Sequence, residues 1–370
     1  MMKVVEYLKE NGTEKLTSEF GVIVKKYEDA QLLVLNYDQI NSPKNDITSE
    51  CRGLILDYAY NIVSRSFDRF FNYGEQFATF NPTTAVAYEK VDGSLIKIYK
   101  HKGHWYCSTR GTAFAESGVN GWGITFADMV YKALGLEGDT VTSHLKFQYL
   151  CEEFLNSSST YICEITGVEN RVVTRYQGYT LWLLAERDNQ SGEYFEVPRI
   201  IWENFGFELP SIYRFNSIEQ CIETAKHLPD LQEGYVMYEN GVPVCKVKSP
   251  AYVAVHFIRG NGLNPNRIAE LVVINEQDEY LKYFPEDEKH FIPYVMQLTQ
   301  TLMLAQTVFS LSSSIQDQKE FALRVKDYPF AQFLFQARKL GESNIRKVFN
   351  ASETNRKVKF LLGLMGEKDE

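Results

Sequence analysis

The sequence lacks the patterns of a disulfide-linked or zinc-binding protein. Its six cysteines form no C-x-x-C pair, and none of its six histidines stands at a metal-binding spacing from them. The N-terminal segment also has no uninterrupted apolar core and no small-residue cleavage site, so we expect no secretory signal. These absences favour a reduced, cytoplasmic chain without structural zinc.

Long hydrophobic runs are lacking as well. The most apolar stretch, 291–311, is interrupted by Pro293, Gln297, Gln300 and Gln306. A membrane-spanning helix needs about 20 predominantly apolar residues in succession, so this pattern predicts a core helix and no membrane partner. Internal repeats and low-complexity tracts are also absent from the sequence.

An excess of positive charge is the third feature that the sequence lacks. The formal net charge is −9, which excludes a protein that coats nucleic acid by bulk attraction, so any RNA contact must use local basic patches. One segment qualifies, because seven basic residues stand against two acidic ones between 338 and 359: Arg338, Lys339, Arg346, Lys347, Arg356, Lys357 and Lys359. A solvated helix face is the first interpretation of this segment, and a substrate-binding patch is the second.

The 370 residues, of which 44% are hydrophobic and 14% aromatic, indicate a globular protein with two domains. From about residue 20 to 253, short β-rich segments alternate with turns. After 253 the apolar residues follow a helical period. We predict an α+β protein, with a mainly antiparallel-sheet domain over 1–253, a connecting turn at 260–266 and an all-helical domain over 254–370.

Three lysine and glutamate signatures follow one another in a fixed order. The segment KVDGS at 90–94 places Lys90 before a tight Asp-Gly turn, which alone is more typical of a surface lysine in a hairpin. Downstream come Glu164 in the segment YICEI, Glu233 in EGYV and the pair KVK at 246–248, each within strand-like sequence. Together they indicate a lysine that becomes covalently loaded with a nucleotide.

Lysine attacks a phosphorus atom only after it loses its proton, and its ordinary pKa is about 10.4. We therefore expect partial burial, a bound divalent metal and the cations Arg52, Lys246 and Lys248 to lower the pKa of Lys90. Residues two apart on a strand share a face, so Lys246 and Lys248 should point into one pocket while Val247 packs behind them.

The glutamates in these signatures lie in apolar strands. Buried carboxylates need partners, so Glu164 and Glu233 are either solvent-facing strand residues or ligands of something bound. Their hard oxygen atoms suit Mg²⁺ or Mn²⁺.

This order of motifs resembles the covalent nucleotidyltransferase superfamily of ATP-dependent DNA ligases, RNA ligases and mRNA capping enzymes. Within it, the chain is most similar to the phage RNA ligase 1 family, whose further marks are ECRG at 50–53, FFN at 70–72 and NRVV at 170–173. The resemblance covers most of residues 30 to 280. It implies an ATP-dependent ligase that joins 5′-phosphate and 3′-hydroxyl ends of single-stranded RNA through lysyl-AMP and RNA-adenylate intermediates, in RNA repair and especially tRNA repair.

The same resemblance assigns roles to individual residues. The catalytic group is Lys90, Glu233, Lys246 and Lys248. The nucleotide-binding group is Tyr37, Arg52, Arg69, Phe71, Asp92, Gly93, Arg110, Glu164 and Tyr252, with Glu164 recognising the ribose hydroxyls. Glu233 and Asp278 are the candidate ligands of Mg²⁺ or Mn²⁺. Arg69 and Arg110 stand where the family often has lysine, so the charge is kept although a guanidinium contacts phosphate differently.

Two other classes stay open at this point. DNA ligases and capping enzymes carry an oligonucleotide-binding β-barrel after the terminal lysine motif, whereas this tail has a helical pattern. A non-catalytic RNA-binding relative would be expected to lose the motif lysines and glutamates, all of which are present. We expect ATP and single-stranded RNA ends, including those of tRNA, as partners of a monomer located in the host cytoplasm if a phage encodes it.

Overall fold

The computed structural model describes residues 2–119, 123–136, 138–229, 231–260 and 263–367. It divides into two compact units, Met1–His256 and Phe257–Glu370. The domain boundary predicted from the sequence, between 253 and 254, falls close to this division, inside the helix Pro250–Arg259. Within the described ranges, no helix is both long enough and apolar enough to cross a membrane.

The described strands, in chain order, are β1 Val22–Tyr27, β2 Leu32–Tyr37, β3 Arg52–Asp57, β4 Ile62–Ser64, β5 Phe71–Asn72, β6 Val86–Glu89, β7 Ser94–His101, β8 His104–Ser108, β9 Ser159–Thr166, β10 Thr180–Asp188, β11 Tyr194–Phe195, β12 Ile212–Tyr213, β13 Gly234–Glu239 and β14 Val242–Lys248. The α-helices of the first unit are α1 Lys3–Phe20, α2 Asp46–Glu50, α3 Phe126–Ala133, α4 Thr140–Phe154, α5 Arg199–Phe205, α6 Ile218–Lys226 and α7 Pro250–Arg259. A short 3₁₀ helix covers Glu75–Phe77.

The first unit contains three sheets. Their strand orders are β1-β2-β3-β4, β11-β10-β9-β7-β8 and β12-β6-β13-β14-β5. All the pairings are antiparallel except the short parallel pairing of β14 with β5. The prediction of a mainly antiparallel α+β domain is confirmed.

Helices cover one face of each sheet. The first sheet packs Leu33 and Leu35 of β2 against Val4 and Leu8 of α1. Its other face is also buried, because Leu32 of β2 belongs to a second core cluster with Tyr99 of β7. The second sheet packs against α3, α4 and α5. The third sheet packs against α6.

The second unit is helical throughout its described residues. Its α-helices are α8 Pro265–Ile274, α9 Gln277–Tyr283, α10 Glu288–Leu311, α11 Gln318–Val325, α12 Ala331–Leu340, α13 Ile345–Asn350 and α14 Thr354–Met365, with a 3₁₀ helix at Pro285–Asp287. The predicted core helix is confirmed, because α10 buries Phe291, Leu298 and Leu302. Asn264 begins α8 as its cap, while 261–262 of the predicted connecting turn lie outside the described residues.

Lys97 of β7 is fully buried where the first two sheets meet. Its ammonium group donates hydrogen bonds to the carbonyl oxygen of Gly53 and to Ser64 Oγ, the latter at 3.3 Å. Burial lowers the pKa of Lys97 from 10.5 to about 7. Between these two values the unfolded chain binds more protons than the folded one, so the contribution of Lys97 to stability increases with pH.

We therefore predict a pH-dependent effect of Lys97→Met, which removes this titration. The difference between the free energies of unfolding, parent minus Lys97→Met, should rise between pH 7 and pH 9. Urea denaturation of both proteins at each pH measures this difference. The substitution Lys26→Met, at an exposed lysine of β1, is the control and should give a difference that does not change with pH. Parallel curves for Lys97→Met and the parent would contradict the assignment of a buried, titrating amine.

Candidate active site

A cavity of about 230 Å³ is lined by residues of all three sheets. It is lined by seven of the residues predicted from the sequence motifs: Tyr37, Arg52, Lys90, Arg110, Glu164, Lys246 and Lys248. Tyr37 and Arg52 belong to the first sheet, Glu164 to the second, and Lys246 and Lys248 to the third. These residues are far apart in the chain, and the packing of the sheets brings them together.

Lys90 follows β6 directly and begins the connection to β7. Its backbone N–H donates to the carbonyl oxygen of Gly234 at 2.8 Å, which extends the pairing of β6 with β13 by one residue. Its side chain is 21% exposed, and Nζ lies 2.6 Å from Glu233 Oε2. The nucleophile candidate is therefore held by backbone and side chain to the same two neighbouring residues.

Glu233 is 4% exposed, and its carboxylate bridges two lysines. Its second oxygen, Oε1, lies 2.8 Å from Lys248 Nζ. Gly234 next to it adopts a φ of +139°, and a Cβ there would lie 2.1 Å from the carbonyl oxygen of Val247. Only glycine allows β13 and β14 to approach this closely, so the Glu-Gly pair is needed for the position of the carboxylate.

Glu233 and Glu164 reverse the expected direction of the pKa shift at Lys90. Burial lowers the pKa of this amine, but the charges of Glu233 and Glu164 and the hydrogen bond that the amine donates to Glu233 outweigh burial, so the pKa is raised above its ordinary value. The net lowering predicted from burial and the cations Arg52, Lys246 and Lys248 is wrong, although the repulsion between Lys90 and Lys246 acts in the predicted direction. The carboxylates outweigh burial and the cations because one of them, Glu233, lies in direct contact with the amine.

The lysine of this cavity whose pKa is lowered is Lys246 and not Lys90. Burial and the positive charges of Arg52, Lys90 and Lys248 bring its pKa to about 7. Lys246 and Lys248 share one face of β14 while Val247 is buried behind them, as predicted. The cleft therefore contains two lysines paired with one carboxylate and a third lysine that is poorly compensated.

Glu164 stands on β9, opposite Leu95 of β7. Burial raises its pKa to about 7, helped by the nearby charges of Glu233 and Asp92, and the cations Lys90 and Arg52 offset only part of this. Near neutral pH, this group can both donate and accept hydrogen bonds. That property suits the binding of hydroxyl groups.

Two cations lie over the Phe70 ring. The guanidinium carbon of Arg52 lies 5.1 Å from the ring centroid, and Lys246 Nζ lies 4.8 Å from it. Two nitrogen atoms of Arg52, Nε and Nη1, are buried without a hydrogen-bond partner among the described residues. Unpaired buried donors are costly, so they favour an anionic ligand at this position.

Two further guanidinium groups contact the Tyr37 ring. Arg69 Cζ is 4.2 Å and Arg110 Cζ is 4.8 Å from the centroid of the Tyr37 ring. Arg110 is held by a 2.8 Å hydrogen bond from Nε to Asn36 Oδ1. Tyr37 and Arg110 line the cavity, whereas Arg69 lines a neighbouring one.

Asp92, Gly93 and Tyr252 lie behind the cavity and do not line it. The buried Asp92 carboxylate accepts hydrogen bonds from the backbone N–H groups of Val173 and Thr174, both at 2.7 Å, and from Tyr252 Oη at 2.6 Å. A Cβ on Gly93 would lie 2.4 Å from the carbonyl oxygen of Ile165. These residues fix the loop that carries Lys90, and their direct contact with a nucleotide stays a prediction.

Phe71 is placed differently from what the motifs suggest. It belongs to β5, with its ring centroid 5.4 Å from Lys44 Nζ, and it is the neighbouring Phe70 that lines the cavity. Asp278 is exposed on α9 of the second unit, and its role as a metal ligand stays a prediction. Among the described residues, no group of three or more histidine, cysteine, aspartate or glutamate side chains could hold a metal ion.

The sequence motifs did not identify the apolar half of the cavity. It is lined by Phe67, Tyr88, Leu95, Leu184, Pro210, Val236 and Tyr238, with Gln39 and Glu89 at its polar edge. A signal for two of them was present, because Val236 and Tyr238 alternate along β13 with the buried Tyr235 and Met237. The remaining residues come from strands and loops without a motif.

Comparison with known proteins gives one family. A family model described as RNA ligase matches residues 50–252. A protein of Autographa californica nuclear polyhedrosis virus, named as a bifunctional polynucleotide kinase/RNA ligase, is 35% identical over 99% of this chain and 54% of its own length. An RNA ligase of Rhodothermus phage RM378 is 26% identical over 77% of this chain and 80% of its own.

Among solved structures, an archaeal ATP-dependent RNA ligase aligns with a TM-score of 0.45 and 13% identity, over 92% of this chain and 84% of its own. The chain spans about half the length of the baculovirus relative.

The bridging carboxylate leads to a prediction about Lys90. Glu233→Gln removes the charge that does most to raise the pKa of the Lys90 amine, so that pKa should fall. The pH dependence of Lys90 acetylation by acetic anhydride, followed by peptide mass spectrometry, measures this midpoint. Glu223→Gln, at an exposed glutamate of α6 that pairs with Lys226, is the matched control. An unchanged midpoint in Glu233→Gln would contradict the role given to this contact.

Proposed function

Because the chain belongs to the phage RNA ligase 1 family, we propose that it is an ATP-dependent RNA ligase that joins 5′-phosphate and 3′-hydroxyl ends of single-stranded RNA. The observation that carries this proposal is the Lys90 amine in the cavity, bridged through Glu233 to Lys248. A lysine nucleophile, nearby cations for phosphate and an apolar wall for a base are the groups that nucleotidyl transfer requires.

The reaction has three steps. The Lys90 nitrogen attacks the α-phosphorus of ATP, forming a P–N bond and releasing pyrophosphate. An oxygen of the RNA 5′-phosphate then attacks the same phosphorus, which frees Lys90 and leaves AMP on the RNA end. Finally, the 3′-hydroxyl oxygen attacks the activated 5′-phosphate, the phosphodiester forms and AMP leaves.

The cavity suggests how ATP lies in it. The apolar half accepts adenine, with Tyr88 and Tyr238 supplying aromatic faces, and Glu164 contacts the ribose hydroxyls. Arg52, Lys246 and Lys248 stabilise the charge that develops on the phosphate oxygens. The buried, unpartnered nitrogen atoms of Arg52 support this placement, because an incoming phosphate would supply the acceptors that they lack.

Lys90 begins the reaction as an ammonium ion, because its pKa is raised. Glu233 Oε2, at 2.6 Å, is the nearest acceptor for the proton that Lys90 must lose. Glu233 is also the carboxylate that fits Mg²⁺ or Mn²⁺, since magnesium in such sites is usually held by one or two carboxylates together with substrate phosphates. When bound, the ion would neutralise charge on the phosphates.

We assign adenylyl transfer to residues 1–253 and the choice of RNA to the helical residues 254–370, with broken tRNA as a natural substrate of a monomeric enzyme in the host cytoplasm. Part of the predicted basic segment is committed to packing. Arg338 donates to the carbonyl oxygens of Ile315 and Gln316, and Lys357 is buried. Lys339 and Arg346 are exposed and are the better candidates for RNA contact.

The first test is adduct formation at Lys90. Incubation with ATP and Mg²⁺ should add one AMP to the full-length protein, and the adduct should map to Lys90 by peptide mass spectrometry. Lys90→Ala should lose the adduct, because the proposed nucleophile is the Lys90 amine; Lys248, the other lysine paired with Glu233, is assigned to the phosphates. It should nevertheless retain weak sealing of a pre-adenylylated RNA, since that step does not use the amine as nucleophile.

Lys26→Ala, at an exposed lysine of the same unit, should behave as the parent does. Chelation with EDTA before ATP is added should prevent formation of the adduct, and an excess of Mg²⁺ or Mn²⁺ should restore its formation. ATP-dependent sealing by Lys90→Ala at the parental rate would refute the proposed role.

A second test concerns the helical residues. The double substitution Lys339→Glu and Arg346→Glu should weaken sealing of a cleaved tRNA at least about tenfold and lower the salt dependence of its binding, because each lost phosphate contact removes one released counterion. Formation of the AMP adduct on Lys90 should not change. Lys319→Glu with Lys326→Glu makes the same change of charge at exposed lysines of the same unit and should leave tRNA sealing intact. Equal effects of the two double variants would refute a local RNA contact.

A further inference from the structure

We call the 230 Å³ cavity that contains Lys90 the nucleotide cavity. A second cavity, of about 480 Å³, adjoins it, and we call this second one the outer cavity. Its walls come from the β10–β11 hairpin, the turn between β13 and β14, and the segment 68–70. Phe70 lines both cavities, so its side chain is a partition between them.

Two cations contact the Phe70 side chain that separates the two cavities. Arg52 and Lys246 contact the Phe70 ring at 5.1 and 4.8 Å from its centroid. Both residues line the nucleotide cavity and not the outer one. A phosphate group held by these two cations would therefore be separated from the outer cavity by the side chain of Phe70.

The charges of the outer cavity are balanced. Two arginines, Arg69 and Arg187, face two acids, Asp68 and Glu193. Arg187 is already committed, because its guanidinium donates to both oxygens of Asp68 at 3.1 and 2.9 Å. The four charges sum to zero, so pyrophosphate or a triphosphate tail would meet no net positive charge here, and most of the cavity suits a neutral group. Arg69 Nη1, buried without a hydrogen-bond partner among the described residues, is a donor for a single phosphate oxygen.

Aromatic surface supplies a place for that group. Phe195 lines the outer cavity and is 43% exposed, which is high for phenylalanine. Its neighbour Tyr194 is held against Arg187, with the guanidinium carbon 4.7 Å from the ring centroid. Asn240, in the turn between β13 and β14, adds an amide with donors and an acceptor.

We propose that the outer cavity binds the terminal nucleoside of the RNA 5′-phosphate end, with its base stacked on Phe195 and its phosphate reaching past Phe70 to Lys246 and Arg52. This inference rests on the proposed function and adds a location for the RNA end that receives AMP. Stacking on an aromatic ring and a neutral polar rim are the features by which proteins bind single-stranded bases with little sequence preference.

The test measures binding of a fluorescent single-stranded RNA to the full-length protein by anisotropy. The RNA carries a 5′-phosphate and a blocked 3′ end. Phe195→Ala should raise Kd about tenfold, the scale of one lost base–aromatic stack. Phe195→Trp, which keeps a stacking face, should bind within about twofold of the parent, and AMP loading of Lys90 by ATP should be equal in all three proteins. Tyr58→Ala is the matched control, because Tyr58 is a 40% exposed aromatic residue remote from the cavity lining.

Three results would overturn the inference: an unchanged Kd for Phe195→Ala, a loss confined to RNA that has a 3′-hydroxyl and no 5′-phosphate, or a change in the KM for ATP. The last result would place the triphosphate in the outer cavity. Failure of the parent protein to form the Lys90 adduct would count against the proposed function and not against this inference, because RNA binding is measured without ATP.

Discussion

The carboxylate of Glu233 is the interaction on which the candidate active site depends. Three lysines and Arg52 surround one cleft, and such a concentration of like charge would be strongly unfavourable without a counterion. Glu233 supplies that counterion from the start of β13 and contacts Lys90 and Lys248 at once. It is buried there because Gly234 lets β13 and β14 approach more closely than any other residue would permit. The same contact raises the pKa of Lys90 and so favours its ammonium form.

A second layer holds the nucleophile without touching the cavity. Asp92 ties the loop after Lys90 to the backbone at 173–174 and to Tyr252 of α7, and Gly93 lies flat against β9. Motif residues that look catalytic in a sequence can thus act one step away from the reaction, by fixing the orientation of the residue beside them. The division agrees with their burial, since Asp92 is almost inaccessible while Lys90 reaches the cavity.

Much of this could be predicted because it depends on local periodicity. The strands, the shared face of Lys246 and Lys248 and the helical tail all follow from spacing along the chain. The direction of the pKa shift at Lys90 could not be predicted. It depends on which charged group lies nearest to the amine, and the sequence does not give distances between residues that are far apart in the chain. The exchange of Phe71 for Phe70 has a similar origin, since a shift of one residue on a strand reverses the face that a side chain occupies. The apolar wall was missed because leucine, valine and proline carry no chemical signature.

Phe70 is one side chain that closes two compartments at once. Any replacement of Phe70 alters the shape of both cavities. A substitution that changes the affinity of one cavity for its ligand therefore also changes the affinity of the other cavity. Phe195 borders a single compartment and is under no such double constraint. Position 70 should therefore accept fewer kinds of residue than position 195, where a stacking aromatic ring is the single requirement.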